Sequence, residues 1–550
     1  MTNAAIYFHT DGFDTSGKRL LGRHSAGESF LRGFLRHAEV DRFHLWNVAA
    51  RPTADLDQLL ARVEPPQRPV RWIAQRGRQD LVDPGVLYIP SPELPAEAWL
   101  RRMLGTPRYA LCGITHTTAT QRVMRIVGDM LVAPLDGYDA LICTSTAVRA
   151  AVDDQLAMMR DYLGEAYGAR RRAEPQRITI PLGVNAADFN LSPQHRQVWR
   201  DKLGIPPDAL VALYVGRFHI KAKMNPALMA MALERAAVAT GRPIYWVNSG
   251  WAETEAAADI HHAETAKLCP SVTYLHVDGR DADTRFTIWS VADFFISFSD
   301  NIQETFGLTP VEAMAAGLPS VVSDWDGYKD TVRDGVDGFR VPTLAPGPGM
   351  GGDISYLYAN GWISYENYVG GAAQYTAVDL GAAEAAIVAL INDPDLRRRQ
   401  GEQARIRARQ VFDWSAIIPQ YQALWAEQAE RLAHAGEPPA SRVNPFAPDP
   451  FTLFAAYPSR HLARDDMIAL RPGMTEAAAG ACLGAALANY SRINPPRPEE
   501  LSALLAHLTA HGPTPVAILR DLFEPPRRAF VERALFWLAR HDVAEIAPRR

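Results

Sequence analysis

Apolar residues fall along the chain in short runs separated by polar, glycine-bearing loops and amphipathic stretches. Runs at Ala4–Phe8, Phe43–Val48, Val86–Ile89, Tyr109–Ile114, Ala140–Thr144 and Ile178–Ile180 have strand length. A polar, glycine-rich loop from Thr10 to Gly27 follows the first of them, and Phe30, Leu31, Phe34 and Leu35 then repeat at helical spacing. A second set begins after Gly204-Ile205-Pro206-Pro207. Its strands are expected at Leu210–Val215, Ile244–Val247, Thr273–Val277, Phe294–Phe298 and Ser320–Ser323, with helices over Leu228–Ala237 and about Pro310–Ala315. Leu210–Val215 is apolar throughout, as a strand covered on both faces must be. Strand, loop and helix in alternation predict an α/β fold with parallel sheets.

The pattern divides the chain into two Rossmann-like domains, residues 1–190 and 191–435. A substrate crevice is expected between them, at the carboxyl ends of strands. Residues 345–376 interrupt the second domain with a run rich in glycine, carrying tyrosines 356, 358, 365 and 368. Such a run is either a lid over the crevice or a surface excursion packed on its own tyrosines. From Pro394 to Ala433 the pattern is helical and Arg-rich, and prolines then punctuate 438–450. Residues 440–550 predict helices at Glu499–Leu508, Val516–Leu522 and Ala529–Arg540, a mainly helical and winged-helix-like unit suited to packing or to forming a homo-oligomer.

Composition narrows the function. The chain has 550 residues, 47% of them hydrophobic and 22% charged, with a net charge of −5, which disfavours nucleic acid or an anionic membrane as the main partner. Residues 441–550 hold 13 Arg and 11 acids, too balanced for a DNA-binding face. Four cysteines without a CxxC pair argue against a disulfide scaffold or thiolate zinc site. With no apolar run near the ~18 residues of a membrane span and no basic, apolar leader, a cytoplasmic protein is expected. Of 57 basic residues only six are lysine, and two of these are Lys221 and Lys223.

The densest chemistry lies in Glu304-Thr305-Phe306-Gly307-Leu308-Thr309-Pro310-Val311-Glu312. A strand ends in polar residues, Gly307 permits close backbone approach, and a helix begins near Thr309-Pro310. Its free amides and positive dipole end suit a phosphate. Glu312, read as a first-turn residue, can accept hydrogen bonds from a vicinal diol such as a ribose. By itself the stretch can equally be a capping carboxylate and a turn glycine. A second block, Gly216-Arg217-Phe218-His219-Ile220-Lys221-Ala222-Lys223, delivers cations from a buried strand, as a departing diphosphate requires.

The two blocks together resemble the retaining glycosyltransferases of family 4, whose fold is GT-B. Glu304 and Glu312 match the family's E-x7-E spacing inside a long motif. The resemblance spans about residues 1–430 and is stronger in the second domain. It implies that Glu304 contacts a donor sugar and Glu312 the nucleotide ribose. Gly216, Arg217, Lys223, Phe306, Gly307, Leu308 and Thr309 would line the donor. Arg217 matches directly. Lys221 falls slightly early for the family lysine and Lys223 slightly late; Lys223 is preferred because it leads straight into the next helix. Gly27, in Gly22-Arg23-His24-Ser25-Ala26-Gly27, resembles the glycine of an N-domain loop near the donor phosphate, and the block is not G-x-G-x-x-G. His116 either faces the transferred sugar or is a hydrogen-bonded loop histidine. Ile180-Pro181-Leu182-Gly183-Val184-Asn185 and Phe412-Asp413-Trp414 resemble the family's interdomain linker and return helix. Asp324-Trp325-Asp326 mimics a D-x-D metal motif but is not assigned that role, since Arg217 and Lys223 supply the cations.

The implied activity is metal-independent, retaining transfer of a sugar from a UDP- or GDP-linked donor to a carbohydrate, lipid-linked or small-molecule acceptor. No cofactor besides this donor is implied, and no side-chain nucleophile is nominated. An epimerase or phosphorylase on the same fold, or a non-catalytic sugar-nucleotide scaffold, are the rival readings.

Overall fold

The computed structural model describes the chain except residues 1–2, 15–21, 106–107, 171–172, 438–441, 489, 492–496 and 549–550. The predicted Pro438-Pro439 punctuation and part of the Thr10–Gly27 loop therefore lie outside the described residues. Two compact units are present, Met1–Asn444 and Pro445–Arg550.

The first unit holds two parallel sheets. In one, β1 (Ala5–Phe8), β2 (Phe43–Asn47), β3 (Val70–Ile73), β4 (Val86–Ile89), β5 (Ala110–Ile114), β6 (Ala140–Cys143) and β7 (Gln176–Thr179) run in the order β3-β2-β1-β4-β5-β6-β7. In the other, β8 (Leu210–Val215), β9 (Ile244–Gly250), β10 (Val272–Asp278), β11 (Phe294–Ser297), β12 (Ser320–Ser323) and β13 (Gly338–Val341) run in the order β10-β9-β8-β11-β12-β13. The order reverses beside β1 and β8, so each sheet has a Rossmann-like switch point at its centre. Two strands of these sheets escaped the sequence pattern. β3 carries Arg71 and is only half-buried, and β13 begins at Gly338 and includes Arg340, so neither reads as an apolar run.

The helix Trp414–His434 returns from the second domain to the first. Asp413 accepts from the Ser415 and Ala186 amides, and Trp414 is fully buried with its Nε1 donating to Ser29 Oγ at 2.7 Å. Further on, Tyr421 and Trp425 pack against Phe30, Phe34 and Tyr88 of the first domain. The return helix thus completes the core of the first domain, and burying an aromatic side chain contributes roughly 1.5–3 kcal/mol.

Three expectations need correction. The polar loop after β1 ends earlier than expected, because α1 spans Gly22–His37 and places Gly27 inside a helix. The Gly12 carbonyl packs where a side chain at Gly27 would project, so the glycine serves a close helix-to-loop contact. The helix after Gly307, α2, runs Leu308–Ala315, which puts Glu312 beyond its first turn. The segment 345–376 is not a plain loop. It contains α3 (Gly352–Ala359) and α4 (Tyr365–Ala373) and rises from a short antiparallel stem, β14 (Thr343–Leu344) with β15 (Ala377–Val378).

The second unit contains the three expected helices, as Pro498–His511, Val516–Asp521 and Arg528–Arg540, with another at Glu476–Gly484. Their apolar faces enclose Ile468, Leu504, Leu519, Leu535 and Leu538. A three-stranded antiparallel sheet of Met467–Leu470, Thr514–Pro515 and Ala544–Ala547 completes it.

Candidate functional site

The carboxyl ends of the two sheets face each other. Thr144, after β6, donates its hydroxyl to the Thr305 carbonyl at 3.3 Å, and Ser145 Oγ donates to Asp326 Oδ1 at 3.3 Å. Next to them the Thr146 amide and hydroxyl donate to the Asp330 carboxylate at 2.6 and 2.8 Å. The crevice predicted from the strand pattern is therefore bounded by the β6 turn on one side and by residues 304–330 on the other.

Within the second domain, the loop after β8 and the loop after β11 converge. Lys223 Nζ donates to Glu304 Oε2 at 2.6 Å, joining residues 81 apart in sequence. Asn301 Nδ2 donates to the Lys221 carbonyl at 2.7 Å and ties the two loops together. Burial disfavours the charged form of both partners. The Lys223 charge and hydrogen bond, with the Thr305 and Phe306 amides, nonetheless hold Glu304 below the usual carboxylate range. Burial likewise opposes the ammonium, but Glu304 holds Lys223 above its ordinary value. Lys221 points elsewhere: its exposed ammonium donates to Asn367 Oδ1 on α4 at 2.8 Å. The geometry brings Lys223, not Lys221, to Glu304.

Gly307 caps α2 with φ +84°, and a Cβ there would collide with the Tyr328 ring. Both facts exclude a side chain. Phe306 is buried in the core, so only its backbone is available to a ligand. Leu308 and Thr309 open α2, where amides lack intrahelical partners. Glu312, a turn further on, has its carboxyl pushed up to about 7 by burial, against the pull of Arg285 and Lys223. Gly216 sits directly after β8, its Cα against the Tyr214 phenol, with its amide on the Ser249 carbonyl at 3.0 Å. Arg217 follows, near Lys223 and the Tyr365 phenol.

His116 follows β5, and its Nε2 donates to the Pro90 carbonyl at 2.8 Å, since that oxygen can only accept. This fixes the ring at the crevice side of the first domain. Gly27 is placed on α1 with the Gly12 carbonyl against it. Asp324 and Asp326 diverge: Asp324 pairs with Arg340 at 3.4 Å, and Asp326 turns to Ser145. They do not present two carboxylates to one point. Among the described residues, no group of three or more His, Cys, Asp or Glu is placed to hold a metal ion.

Two features, Asp326 and the His219–Glu366 contact, were missed in the sequence. Asp326 adopts φ +42° and its carboxyl is pushed up to about 8 by burial and then by Glu304. The Asp326-Gly327 turn dipeptide was its only local signal. Residues 345–376, read in the sequence as either a lid or a surface excursion, reach across the crevice: Tyr358 OH accepts from the Gln121 amide at 3.1 Å, and Tyr365 OH lies 3.4 Å from Thr117 Oγ1. On the other side, His219 Nδ1 accepts from the Ala222 amide at 3.1 Å, which leaves Nε2–H to face Glu366 at 3.3 Å.

Residues 195–345 match the family described as glycosyl transferases group 1. The D-inositol 3-phosphate glycosyltransferase of Thermobifida fusca is 28% identical over 268 residues, covering 44% of this chain and 56% of that protein. The Mycolicibacterium gilvum protein of the same name is 32% identical over 196 residues, covering 35% of this chain and 42% of its own length. The chain thus spans about half the length of the curated relatives it matches. The structure of Anabaena HepE in complex with UDP is 17% identical, with a TM-score of 0.49, and covers 79% of this chain and all of that one. No helix among the described residues is long and apolar enough to cross a membrane.

Proposed function

We propose, from the premise that residues 195–345 belong to the group 1 glycosyltransferases, that the whole chain transfers a sugar from a nucleotide-diphosphate donor to an acceptor hydroxyl with retention and without a metal ion. The observation that carries this reading is the Lys223–Glu304 pair beside the start of α2 in one crevice. Glu304 would contact the donor sugar, and the Leu308 and Thr309 amides would meet the diphosphate at the helix start. Glu312 would take the ribose diol, with Gly216, Phe306 and Gly307 supplying backbone.

Charge grows on the diphosphate as its bond to the anomeric carbon breaks. Arg217 and Lys223 would stabilise that charge in place of a metal. The acceptor oxygen attacks from the same face, and its proton passes to the departing phosphate oxygen, so no side-chain nucleophile is required. His116 would flank the transferred sugar from the first domain. Gly27 enters only through the packing of α1 beneath the Gly12 turn. Residues 345–376 would act as a lid, since they already bond to Thr117 and Gln121. Residues 445–550 are assigned to packing or oligomerisation, and the reaction to the cytoplasm.

Purified protein is to be incubated with UDP-, GDP- and ADP-sugars, alone and with simple sugars, lipid-linked sugars and D-inositol 3-phosphate. Turnover of a UDP- or GDP-sugar, with an α-product from an α-donor and full activity in EDTA, is expected. An inverted product, turnover that needs no acceptor and only epimerises the donor, or dependence on inorganic phosphate would sink the proposal.

A further inference from the structure

The loop after β11 turns inward at Asp300, whose residue is 3% exposed. Its Oδ1 is buried without a hydrogen-bond partner. A buried carboxylate oxygen left in this state is costly unless something occupies the space before it. Asp300 lines a pocket of about 410 Å³, whose other walls include Ile220, Lys221, Asn225, Asn367 and Gln374. That volume lies within the roughly 300–1,000 Å³ of small-molecule sites. Glu304, Glu312, Gly307 and Arg217 do not line it. One wall is the loop after β8 and the other is α4, where Gly370 lies against the Lys221 backbone.

The polar groups are biased in a definite way. Asn225 Oδ1 accepts from the Ala227 amide and Asn367 Oδ1 accepts from Lys221, so each amide oxygen is engaged within the protein. Each side chain keeps both NH2 donors and one remaining lone pair on that oxygen. The pocket therefore offers amide groups and an ammonium beside the buried Asp300 carboxyl, with Ile220 and Ala373 as apolar wall. An anion would meet the buried Asp300 carboxylate, and a cation would meet Lys221. A ring of hydroxyls donates and accepts together and presents a C–H face to an apolar wall.

We propose that this pocket is a subsite for a neutral sugar ring, with Asp300 accepting from its hydroxyls and Asn225, Asn367 and Gln374 donating to it. The assignment stands on these contacts and not on the donor reading, and it is tested without nucleotide. The full-length protein is to be examined by saturation-transfer NMR with methyl α-D-glucopyranoside, methyl α-D-mannopyranoside, N-acetyl-D-glucosamine and maltotriose. At least one should give a saturable signal, weakened tenfold or more in Asp300→Ala and in the surface variant Gln374→Leu. Burial pushes the Asp300 carboxyl up to about 7, so at pH 8.5, where it is ionised, Asp300→Asn should raise the thermal midpoint of the sugar-free protein, because it removes an unpaired buried charge and keeps the shape. The proposal is overturned if none of the four sugars binds the wild type, if both variants bind as the wild type does, or if Asp300→Asn lowers the midpoint.

Discussion

Replacing Lys223 with methionine keeps the side chain's length and removes its charge, which isolates the ion pair at the centre of the site. At the 2.6 Å contact the Coulomb attraction is about 6 kcal/mol for an effective dielectric of 20. Desolvation of the two groups offsets part of it. Removing one partner of such a pair, however, strands the other, and the expected cost is about 3–5 kcal/mol. For a domain of roughly this size that is a fall in Tm of about 6–20 °C at pH 8. Lys223→Met/Glu304→Gln should recover most of the loss, because both charges leave together. Neither variant should turn over donor well, since the cation is gone in both, at a cost of about 2–4 kcal/mol in the barrier.

The pH dependence carries a further sign. In the wild type Glu304 is held below its ordinary value, so its stabilisation is present above the unfolded pKa and fades as pH falls through the folded one. In Lys223→Met burial, the largest influence, is opposed only by the Thr305 and Phe306 amides, and it raises the Glu304 carboxyl. The variant is then most stable at low pH, and its deficit grows as pH rises from about 4.5. The assay is thermal melting of both single variants and the double variant between pH 4.5 and 8, beside donor hydrolysis. A Lys223→Met protein that melts with the wild type at pH 8, or a double variant that recovers nothing, would refute the reasoning.

Glu312→Gln tests the other carboxylate. Its folded value of about 7 lies above the ordinary one, so its contribution to ligand-free stability is present at low pH and is lost as pH rises towards 7. The substitution should remove that loss, seen as a Tm–pH curve flatter than the wild type's between about pH 4.5 and 7.5, and should weaken donor binding in calorimetry. Asp139→Asn should destabilise the first domain by about 3–5 kcal/mol in urea melts, because it strands the buried Arg101 guanidinium that it now holds at 2.6 and 2.8 Å. Trp414→Ala should cost about 3–5 kcal/mol in the same melts, since Trp414 sits fully buried where the return helix meets the first domain.

Much of the fold is legible in the chain because its signals are local. Leu210–Val215 is apolar throughout and Ser320–Ser323 has two valines at its centre, and both are strands with those bounds. Glu304 and Glu312 are eight residues apart around a glycine and a proline, so one strand-to-helix turn carries both. β3 and β13 were missed for the converse reason: an edge position leaves one flank of each exposed, and charged residues mask its apolar pattern.

Contacts distant in sequence leave no such local trace. Sequence spacing placed Lys221 slightly early and Lys223 slightly late for the family lysine, and Lys223 was preferred only on its lead into the next helix. Only folding places one on Glu304, 81 residues away, and the other on Asn367, 146 residues away. Gly27 reads as a loop glycine, and tertiary packing makes it a helix residue beneath the Gly12 carbonyl. Asp300 reads as one more polar residue at a strand end. It is buried, and the pocket it lines with Ile220 and α4 exists only because residues 345–376 fold beside the loop after β8. The sequence by itself determined the α/β periodicity, the Glu304–Glu312 spacing and the cations after β8, because each lies within one short segment. Which cation meets which carboxylate, and which carboxylate is left unpaired, was decided by tertiary structure, since charge pairing depends on distance in space.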